Sequence, residues 1–176
     1  ADVFSQQNMF IVVGFALLAT SALLYIGIQA DKRTTLRYKK KGILTKKGAG
    51  RKSFNVVDAI CVGVSQFIAA VFSGLSRSGT TIAAGLVVGL DKEFAAKFSF
   101  ILSIPAILGA GVFQLKDLSG GNVEIEACIA GFIVAVISGY LAISVLLKLI
   151  REKSLDIFAY YCWIVGAVIL VGSLIL

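Results

Sequence analysis

A polar stretch interrupts a long apolar segment of this chain, and it reads Ser73-Gly74-Leu75-Ser76-Arg77-Ser78-Gly79-Thr80-Thr81. Apolar residues run from Val56 up to this stretch and resume after it, ending at Leu90. As a helix, the second arm would rise only about 14 Å, which is half of the hydrocarbon core of a bilayer. Irregular backbone is tolerated at that depth only where protein buries it or where it lines a wet cavity. We therefore predict a re-entrant helix hairpin over residues 56–90, with a binding site at its turn.

The rest of the chain is rich in apolar runs that are long enough to cross a membrane. Apolar residues make up 58% of the 176 residues and charged residues 15%, whereas soluble domains carry about 25% charged residues. We predict transmembrane helices at 9–29, 94–115, 124–147 and 155–176, within a single integral-membrane domain over 1–176. The predicted fold class is all-α, a polytopic membrane protein with about four transmembrane helices and one re-entrant hairpin. This composition excludes a soluble enzyme, a DNA-binding domain and a secreted disulfide scaffold.

Positive charge is concentrated in residues 31–53, which hold ten of the 17 basic residues and Asp31 as the only acid. That segment carries a charge of +9 and the rest of the chain −2, which gives the net charge of +7. An alternating topology puts a second basic cluster on the same side, at Lys148, Arg151 and Lys153. By the positive-inside rule we expect a mobile cytoplasmic loop over 31–53 in a multi-pass membrane protein. Such a loop attracts membrane lipid headgroups and does not indicate a nucleic-acid partner.

Arg77 is the most unfavourable residue of the polar stretch, because placing a cation at bilayer depth costs roughly 2.5–3.5 kcal/mol on insertion scales. Hydroxyl-bearing and glycine residues surround it: Ser76, Ser78, Thr80, Thr81, Gly74 and Gly79. The start of the second arm would add free N–H groups and the positive end of a helix dipole. These groups donate and none is a base, so the chemistry predicts a membrane-embedded cradle for phosphate or diphosphate. The structural alternative is an arginine paired with a carboxylate or with backbone carbonyls.

Polar residues on the flanking apolar segments allow more than one interpretation. Gln66 lies in the first arm and suits either the anion site or a hydrogen bond between helices. Ser99 and Ser103 lie on one helical face, and for them we favour interhelical packing. The three cysteines lack the spacing of a metal site and the chain has no histidine, so we predict no metal ligands within it.

Gln66, the stretch 73–81, Phe98-Ser99-Phe100 and Ile104-Pro105 together resemble the second half of the bacterial undecaprenyl-diphosphatase family, also called bacitracin-resistance proteins. That family carries a Pro-Gly-x-Ser-Arg-Ser-Gly-x-Thr motif in its C-terminal repeat, and in this chain Ser73 stands at the position of the proline. The resemblance covers essentially the whole chain. It implies a fold of two interlocked inverted repeats with re-entrant helices in the bacterial inner (plasma) membrane, and a site that opens toward the periplasm.

The family removes the terminal phosphate of a polyprenyl diphosphate carrier, and the monophosphate then returns to cell-wall precursor synthesis. Transferred by position, the resemblance makes Arg77 and Ser76 catalytic, with Arg77 clamping the diphosphate and stabilising charge on the transferred phosphoryl group. It also implies substrate-binding residues that donate to phosphate oxygens or shape the cradle: Ser78, Gly79, Thr80, Thr81, Gly74 and Gln66. A nucleophilic role for Ser76 or Ser78 is poorly supported, because a serine needs an adjacent base.

The family also has an N-terminal repeat whose Glu-x-x-x-Glu motif and Ser-Thr-Gly-His stretch supply acid–base, metal-linked and histidine groups. The 176 residues contain neither of these motifs. We therefore expect this chain, a natural fragment or a trimmed one, to supply the arginine and serine half of the site and to need that repeat as a partner. The resemblance implies a divalent cation, Mg²⁺ or Ca²⁺, with ligands outside the chain. A homo-oligomer is compatible with the sequence.

Other function classes suit part of the pattern. A transporter or lipid-handling protein uses the same kind of broken-helix anion site without hydrolysis. Phosphatidate-type phosphatases also carry Ser-Arg in their signature, but they depend on two histidines and this chain has none. A purely structural membrane subunit would not explain why an arginine is placed at bilayer depth.

Overall fold

The computed structural model describes residues 2–42, 50–72, 74–114, 125–152 and 155–175. Within these ranges the chain forms six helices, in chain order α1 (Asp2–Lys40), α2 (Val56–Val71), α3 (Arg77–Val87), α4 (Lys92–Gln114), α5 (Ile125–Glu152) and α6 (Asp156–Ile175). The described ranges contain no β-strand, and Arg51 and Leu90 form an isolated β-bridge. The all-α fold class predicted from the sequence is therefore confirmed.

Four of these helices are long and apolar enough to cross a membrane. The candidate spans are Met9–Lys40, Lys92–Gln114, Ile125–Arg151 and Asp156–Ser173. The number of spans agrees with the sequence prediction. The helices themselves are longer than predicted at several ends, since α5 continues to Glu152 and α4 begins at Lys92.

The largest difference from the predicted boundaries concerns α1, which continues through the first part of the basic segment to Lys40. Lysine and arginine are good helix formers, and the segment offers no glycine or proline before Gly42. Gly42 then adopts a φ of +69°, and its N–H donates to the carbonyl of Lys39, as is typical of a helix C-terminus. Residues 31–40 are thus helical rather than a loop, and the predicted loop residues 43–49 lie outside the described ranges.

The interrupted apolar segment forms two short helices, α2 and α3, as its break predicts. Their 16 and 11 residues correspond to about 24 and 16 Å of helix, so neither crosses a hydrocarbon core of about 30 Å. α3 packs against α1, α2 and α4 and supplies much of the buried core, including Leu86. Glycine allows the close approach: a Cβ at Gly27 of α1 would lie 2.9 Å from the Cα of Ala83. Because α3 is enclosed in this way, its first turn is held in a fixed position.

α6 packs against a different face of α1 and runs antiparallel to it. The helices touch at glycines, since a Cβ added to Gly14 would lie 2.6 Å from Leu170 Cγ. Ser21 Oγ donates to the carbonyl of Ala159 at 2.8 Å, and Lys32 pairs with Asp156 at 3.2 Å. α1 therefore lies between α3 and α6.

Ion pairs join the helix ends at one end of the molecule, which we call the charged end. Arg151 at the end of α5 pairs with Glu93 at the start of α4, with N···O 2.6 Å. Arg51 makes two hydrogen bonds to the buried carboxylate of Asp58 at the start of α2 and a third, of 2.9 Å, to the carbonyl of Val88. The first and last residues of the α2–α3 hairpin are thereby held together.

The environment of Asp58 favours its charged form. Hydrogen bonds from the Arg51 guanidinium and from the N–H of Asn55 lower the pKa of the Asp58 carboxyl from its ordinary value. Asp58 lies in the first turn of α2, outside the four candidate spans.

Candidate functional site

The site is the turn between α2 and α3 together with the first turn of α3. Gly74 has a φ of +99°, a conformation that L side chains rarely adopt. A Cβ at this position would also lie 2.9 Å from the Cβ of Ala16 in α1. Glycine is therefore needed here on two grounds, and it brings the turn against α1.

Ser76 caps α3 and ties the turn to α1. Its Oγ accepts the N–H of Gly79 at 3.2 Å, which satisfies one of the free N–H groups of the helix start. Its own N–H donates to Thr20 Oγ1 at 3.2 Å, while Thr20 donates to the carbonyl of Ala16 at 2.9 Å. The Ser76 hydroxyl proton is not used by these contacts. Ser76 is thus anchored and still able to donate one hydrogen bond.

Thr80 and Thr81 face the interior of the protein. Their exposed fractions are 5% and 4%, and the Thr80 hydroxyl donates to the carbonyl of Ser76 at 2.8 Å. Thr81 Oγ1 lies 3.0 Å from the carbonyl oxygen of Arg77 and 3.2 Å from that of Ser78, and it also contacts Ser99 Oγ of α4. Gly79 is buried between Ser76 and Thr20. In this arrangement the two threonine hydroxyls hold the helix start.

Arg77 and Ser78 face the other way. The Arg77 side chain is exposed, and across the described ranges no carboxylate or carbonyl oxygen pairs with its guanidinium. The alternative of a structurally paired arginine therefore finds no partner in the part of the chain that the structure describes. The Ser78 hydroxyl and the N–H groups of Arg77 and Ser78 likewise have no acceptor there. The first turn of α3 thus presents a guanidinium, two hydroxyls and two N–H groups.

The turn lies halfway along the apolar part of α1. Thr20, which contacts it, is about 18 Å from Lys32 and about 16 Å from Met9 at a helical rise of about 1.5 Å per residue. A hydrocarbon core is about 30 Å thick. When α1 crosses a membrane, the contact with Ser76 is therefore near the middle of it, where unpaired polar groups are most costly and most often functional.

The described residues do not fit a metal site at this turn. No group of three or more His, Cys, Asp or Glu side chains comes together within the described ranges. The turn itself carries a cation and hydrogen-bond donors, which suit an anion and repel a metal ion. The divalent cation that the resemblance implies thus has no ligand set among the described residues.

Two further residues from the sequence analysis stand apart from the turn. Gln66 is half-buried on α2. Among the described residues, its side-chain amide makes no hydrogen bond to the turn and none to a neighbouring helix. Ser103 Oγ donates to the carbonyl of Phe100 within α4, at 2.6 Å, whereas Ser99 makes the interhelical contact expected of it. Ser73 lies outside the described ranges.

Sequence reasoning missed Thr20 and the pair Arg51–Asp58. Thr20 and Ser21 are adjacent hydroxyl residues in the first span, but such residues commonly bond to their own helix, so they give no distinct signal. Arg51 is one basic residue among ten in its segment, and only the folded structure separates it from the others.

A cleft of about 400 Å³ lies between α1 and α6, on the side of α1 away from α3. Aromatic side chains line it, among them Tyr25, Tyr160 and Trp163. None of the residues of the α3 turn lines this cleft. Its walls are mostly apolar, so it does not supply the chemistry that an anion needs, and the site remains the turn.

Comparison with known proteins decides the family. A family model described as "Bacitracin resistance protein BacA" matches residues 2–168. The chain belongs to this family. The matched range includes α1 to α5 in full and the first part of α6. The match therefore includes the turn and every helix that positions it.

Curated relatives carry a common name. The undecaprenyl-diphosphatase of Methanobrevibacter smithii is 61% identical over 123 residues, which cover 69% of this chain and 44% of the relative. That of Methanosphaera stadtmanae is 44% identical over 164 residues, covering 93% and 54%. That of Methanothermobacter thermautotrophicus is 45% identical over 164 residues, covering 93% and 84%. This chain therefore spans about half the length of the first two relatives.

Proposed function

We propose that this chain binds the diphosphate of undecaprenyl diphosphate at the start of α3 and thereby takes part in its hydrolysis to undecaprenyl phosphate and phosphate. The observation that carries the proposal is the exposed guanidinium of Arg77, which pairs with no described residue and lies in the first turn of α3, level with the middle of the apolar part of α1. The name shared by the relatives supports this choice of substrate and reaction. Release of the monophosphate returns the carrier to cell-wall precursor synthesis.

Arg77 supplies the main interaction. Its guanidinium is a planar fork that matches two phosphate oxygens, and the helix dipole adds positive potential at the same place. In hydrolysis, water forms a bond to the terminal phosphorus while the bridging P–O bond breaks and the lipid monophosphate leaves. Charge on the equatorial oxygens is what Arg77 stabilises.

Ser76 and Ser78 complete the donor set. Each has a hydroxyl proton free to donate to phosphate oxygens, and the N–H groups of Arg77 and Ser78 point out of the helix start. We assign Gly74, Gly79, Thr80 and Thr81 to shaping and holding this cradle, because their contacts are with the protein itself. Neither serine has a base beside it in the described ranges, so we propose binding roles for both.

The remaining catalytic groups come, in this proposal, from outside the 176 residues. The chain contains no histidine, and its described residues form no cluster of metal ligands. An N-terminal repeat would supply the acid–base groups and the ligands of a divalent cation such as Mg²⁺ or Ca²⁺. A homo-oligomer is a further partner compatible with the exposed apolar side chains of α5.

We further propose a plasma-membrane location with the charged end in the cytoplasm. The basic residues of α1 beyond Lys32 and those at the end of α5 lie at that end. The turn before α3 would then be reached from the opposite, periplasmic side. Nothing in this arrangement requires a nucleic-acid partner.

A second candidate function is anion binding without hydrolysis, as in a transporter or lipid-handling protein. Among the described residues no base lies beside the serines of the turn and no metal-ligand cluster forms, which fits a site that binds an anion without hydrolysing it. Broken helices in membrane transporters bind anionic groups at the same kind of helix start.

Phosphate release from undecaprenyl diphosphate, in detergent with Mg²⁺ or Ca²⁺, tests the proposal. We expect no release by this chain alone and release after addition of the N-terminal half of a full-length relative. Pull-down of the two parts on one tag checks that they assemble. An assembled mixture that binds the lipid but releases no phosphate would favour the transporter class. Release by this chain alone would show that the 176 residues hold all catalytic groups.

A further inference from the structure

The contact between α3 and α4 next to Arg77 is polar, although most of its surroundings are apolar. Ser99 is 3% exposed and lies on the face of α4 that also buries Ala95 and Ala96. Its Oγ contacts Thr81 Oγ1 and lies 3.4 Å from the carbonyl oxygen of Ser78. Thr81 Oγ1 in turn reaches the carbonyl oxygens of Arg77 and Ser78. Two hydroxyls and two carbonyls thus form one buried cluster.

Every arrangement of the cluster's two protons that keeps the bond between the hydroxyls links α4 to the start of α3. Either Ser99 donates to Thr81 and Thr81 donates to the carbonyl of Arg77 or of Ser78, or Thr81 donates to Ser99 and Ser99 donates to the Ser78 carbonyl. Each arrangement leaves no hydroxyl proton without an acceptor. A buried polar cluster that is fully satisfied in this way makes its surroundings more rigid.

The carbonyls in the cluster belong to the residues whose other groups face the anion site. A trans peptide is planar, with its C=O and N–H pointing in opposite directions. Holding the Arg77 carbonyl toward Thr81 therefore directs the Ser78 N–H away from Thr81, out of the helix start. The same bond fixes the Cα that carries the Arg77 side chain. The cluster thus adds to the helix's own hydrogen bonds in fixing the direction of the Ser78 N–H and the position of the Arg77 Cα.

α3 and α4 are too tightly packed to compensate for loss of this contact by sliding. A Cβ at Gly85 of α3 would lie 3.0 Å from the Cβ of Ala95, only one turn before Ser99 on α4. The neighbouring surfaces are already in contact, so the space left by a missing hydroxyl stays open and the helix start becomes freer.

We propose that Ser99 is a positioning residue of the anion site, acting through Thr81 on the carbonyls of Arg77 and Ser78. This inference rests on the proposed function, because it gives Ser99 a part in holding the diphosphate donors. Ser99 touches no substrate. Its hydroxyl preorganises the donors, and preorganisation raises affinity by lowering the cost of ordering on binding.

The test compares Ser99→Ala with Ser103→Ala in this chain. Ser103 is the matched control, because it lies one turn further along α4 and its hydroxyl bonds within its own helix. Thr81→Val removes the other hydroxyl at nearly constant shape, and Thr81→Ser keeps it. The first readout is hydrogen exchange at the amides of the first turns of α3, and the second is binding of inorganic pyrophosphate by calorimetry.

We expect Ser99→Ala and Thr81→Val each to speed exchange at the start of α3 by about three- to tenfold, the size expected for one lost hydrogen bond. Pyrophosphate binding should weaken by a similar factor. The double variant should show little beyond either single one, since the two hydroxyls act as a unit. In an Arg77→Ala background, Ser99→Ala should cost less affinity than in the wild type, because only the Ser78 N–H then remains to be held in place. Ser103→Ala should behave like the wild type, and Thr81→Ser, which keeps the hydroxyl, should show a smaller effect than Thr81→Val.

Wild-type exchange at the start of α3 in Ser99→Ala would overturn the inference, whatever the binding result. Equal effects of Ser99→Ala and Ser103→Ala would also overturn it, because they would indicate general loosening of α4. Failure of the wild type to bind pyrophosphate would instead count against the proposed function. The exchange comparison would still decide whether Ser99 holds the helix start.

Discussion

Arg77 can be removed without breaking any hydrogen bond or ion pair among the described residues. Its side chain is exposed at the first position of α3, where alanine is also a good helix former. A cation at a helix N-terminus is, moreover, unfavourable toward the helix dipole. We therefore expect Arg77→Ala to leave the thermal midpoint in detergent unchanged or slightly raised. Any loss of function in this variant would then be caused by the lost interaction between Arg77 and the ligand, and not by a loss of stability.

The size of that loss follows from the guanidinium fork. Two charge-assisted hydrogen bonds at about 1.5 kcal/mol each give about 3 kcal/mol, which corresponds to roughly a hundredfold in affinity. Arg77→Lys keeps the charge and loses the fork, so we expect an intermediate loss of about tenfold. In the two-part enzyme, the rate of phosphate release by Arg77→Ala should fall by at least about a hundredfold.

Calorimetry with pyrophosphate measures the affinity, and a thermal scan of the same sample measures the midpoint. Arg33→Ala is the matched control, because Arg33 is also exposed but lies near the charged end on α1. Binding within about twofold of wild type in Arg77→Ala would remove Arg77 from the anion site. If the thermal midpoint and the affinity of Arg77→Ala both fell, Arg77 would have a structural role. The loss of affinity would then not show that its guanidinium binds the anion.

Two further predictions concern the parts that hold the turn. Gly74→Ala should lower the free energy of unfolding by about 1–3 kcal/mol through backbone strain, and more than Gly89→Ala, because both have positive φ but only Gly74 also approaches α1. Equal thermal midpoints for the two would contradict the close approach. Asp58→Asn should lower the midpoint at neutral pH, since it breaks the ionic link to Arg51. The folded-state pKa of Asp58 is lowered from the ordinary value of 3.8, so the stabilisation by the ion pair is fully present at pH values above 3.8. It is lost as the pH falls through the folded-state pKa, and the difference in midpoint between wild type and variant should shrink in that acid range. A difference that stays constant with pH would assign the effect to another cause.

The sequence predicts those features of the fold that depend on local composition. Hydropathy gives the four spans, and the break at the polar stretch gives the two short helices α2 and α3. The exception is the continuation of α1 to Lys40, where the density of charge suggests a loop although lysine and arginine favour a helix.

The site is predictable in its residue types but not in the direction that each side chain faces. The motif presents Ser76, Ser78, Thr80 and Thr81 as equivalent donors. In the structure the two threonines bond to backbone carbonyls and the serines keep free protons. Helical periodicity alone does not settle this, because the direction depends on α1 and α4. The partner of Ser76 is 56 positions away in the chain, and only tertiary packing brings it close.

This division among the hydroxyls explains how a polar turn is stable within an apolar segment. A hydroxyl has one proton, so a threonine that donates to a carbonyl cannot donate to a ligand in the same state. The inner hydroxyls satisfy the protein and remove the cost of burying them. The outer donors of Arg77 and Ser78 remain unsatisfied by the described residues, so they are available to an anion at bilayer depth. A dianionic ligand accepts hydrogen bonds from these donors and also complements the positive charge of Arg77, which water does not. Binding therefore relieves the cost of leaving the donors without acceptors, and the same donors stabilise charge on the phosphoryl group.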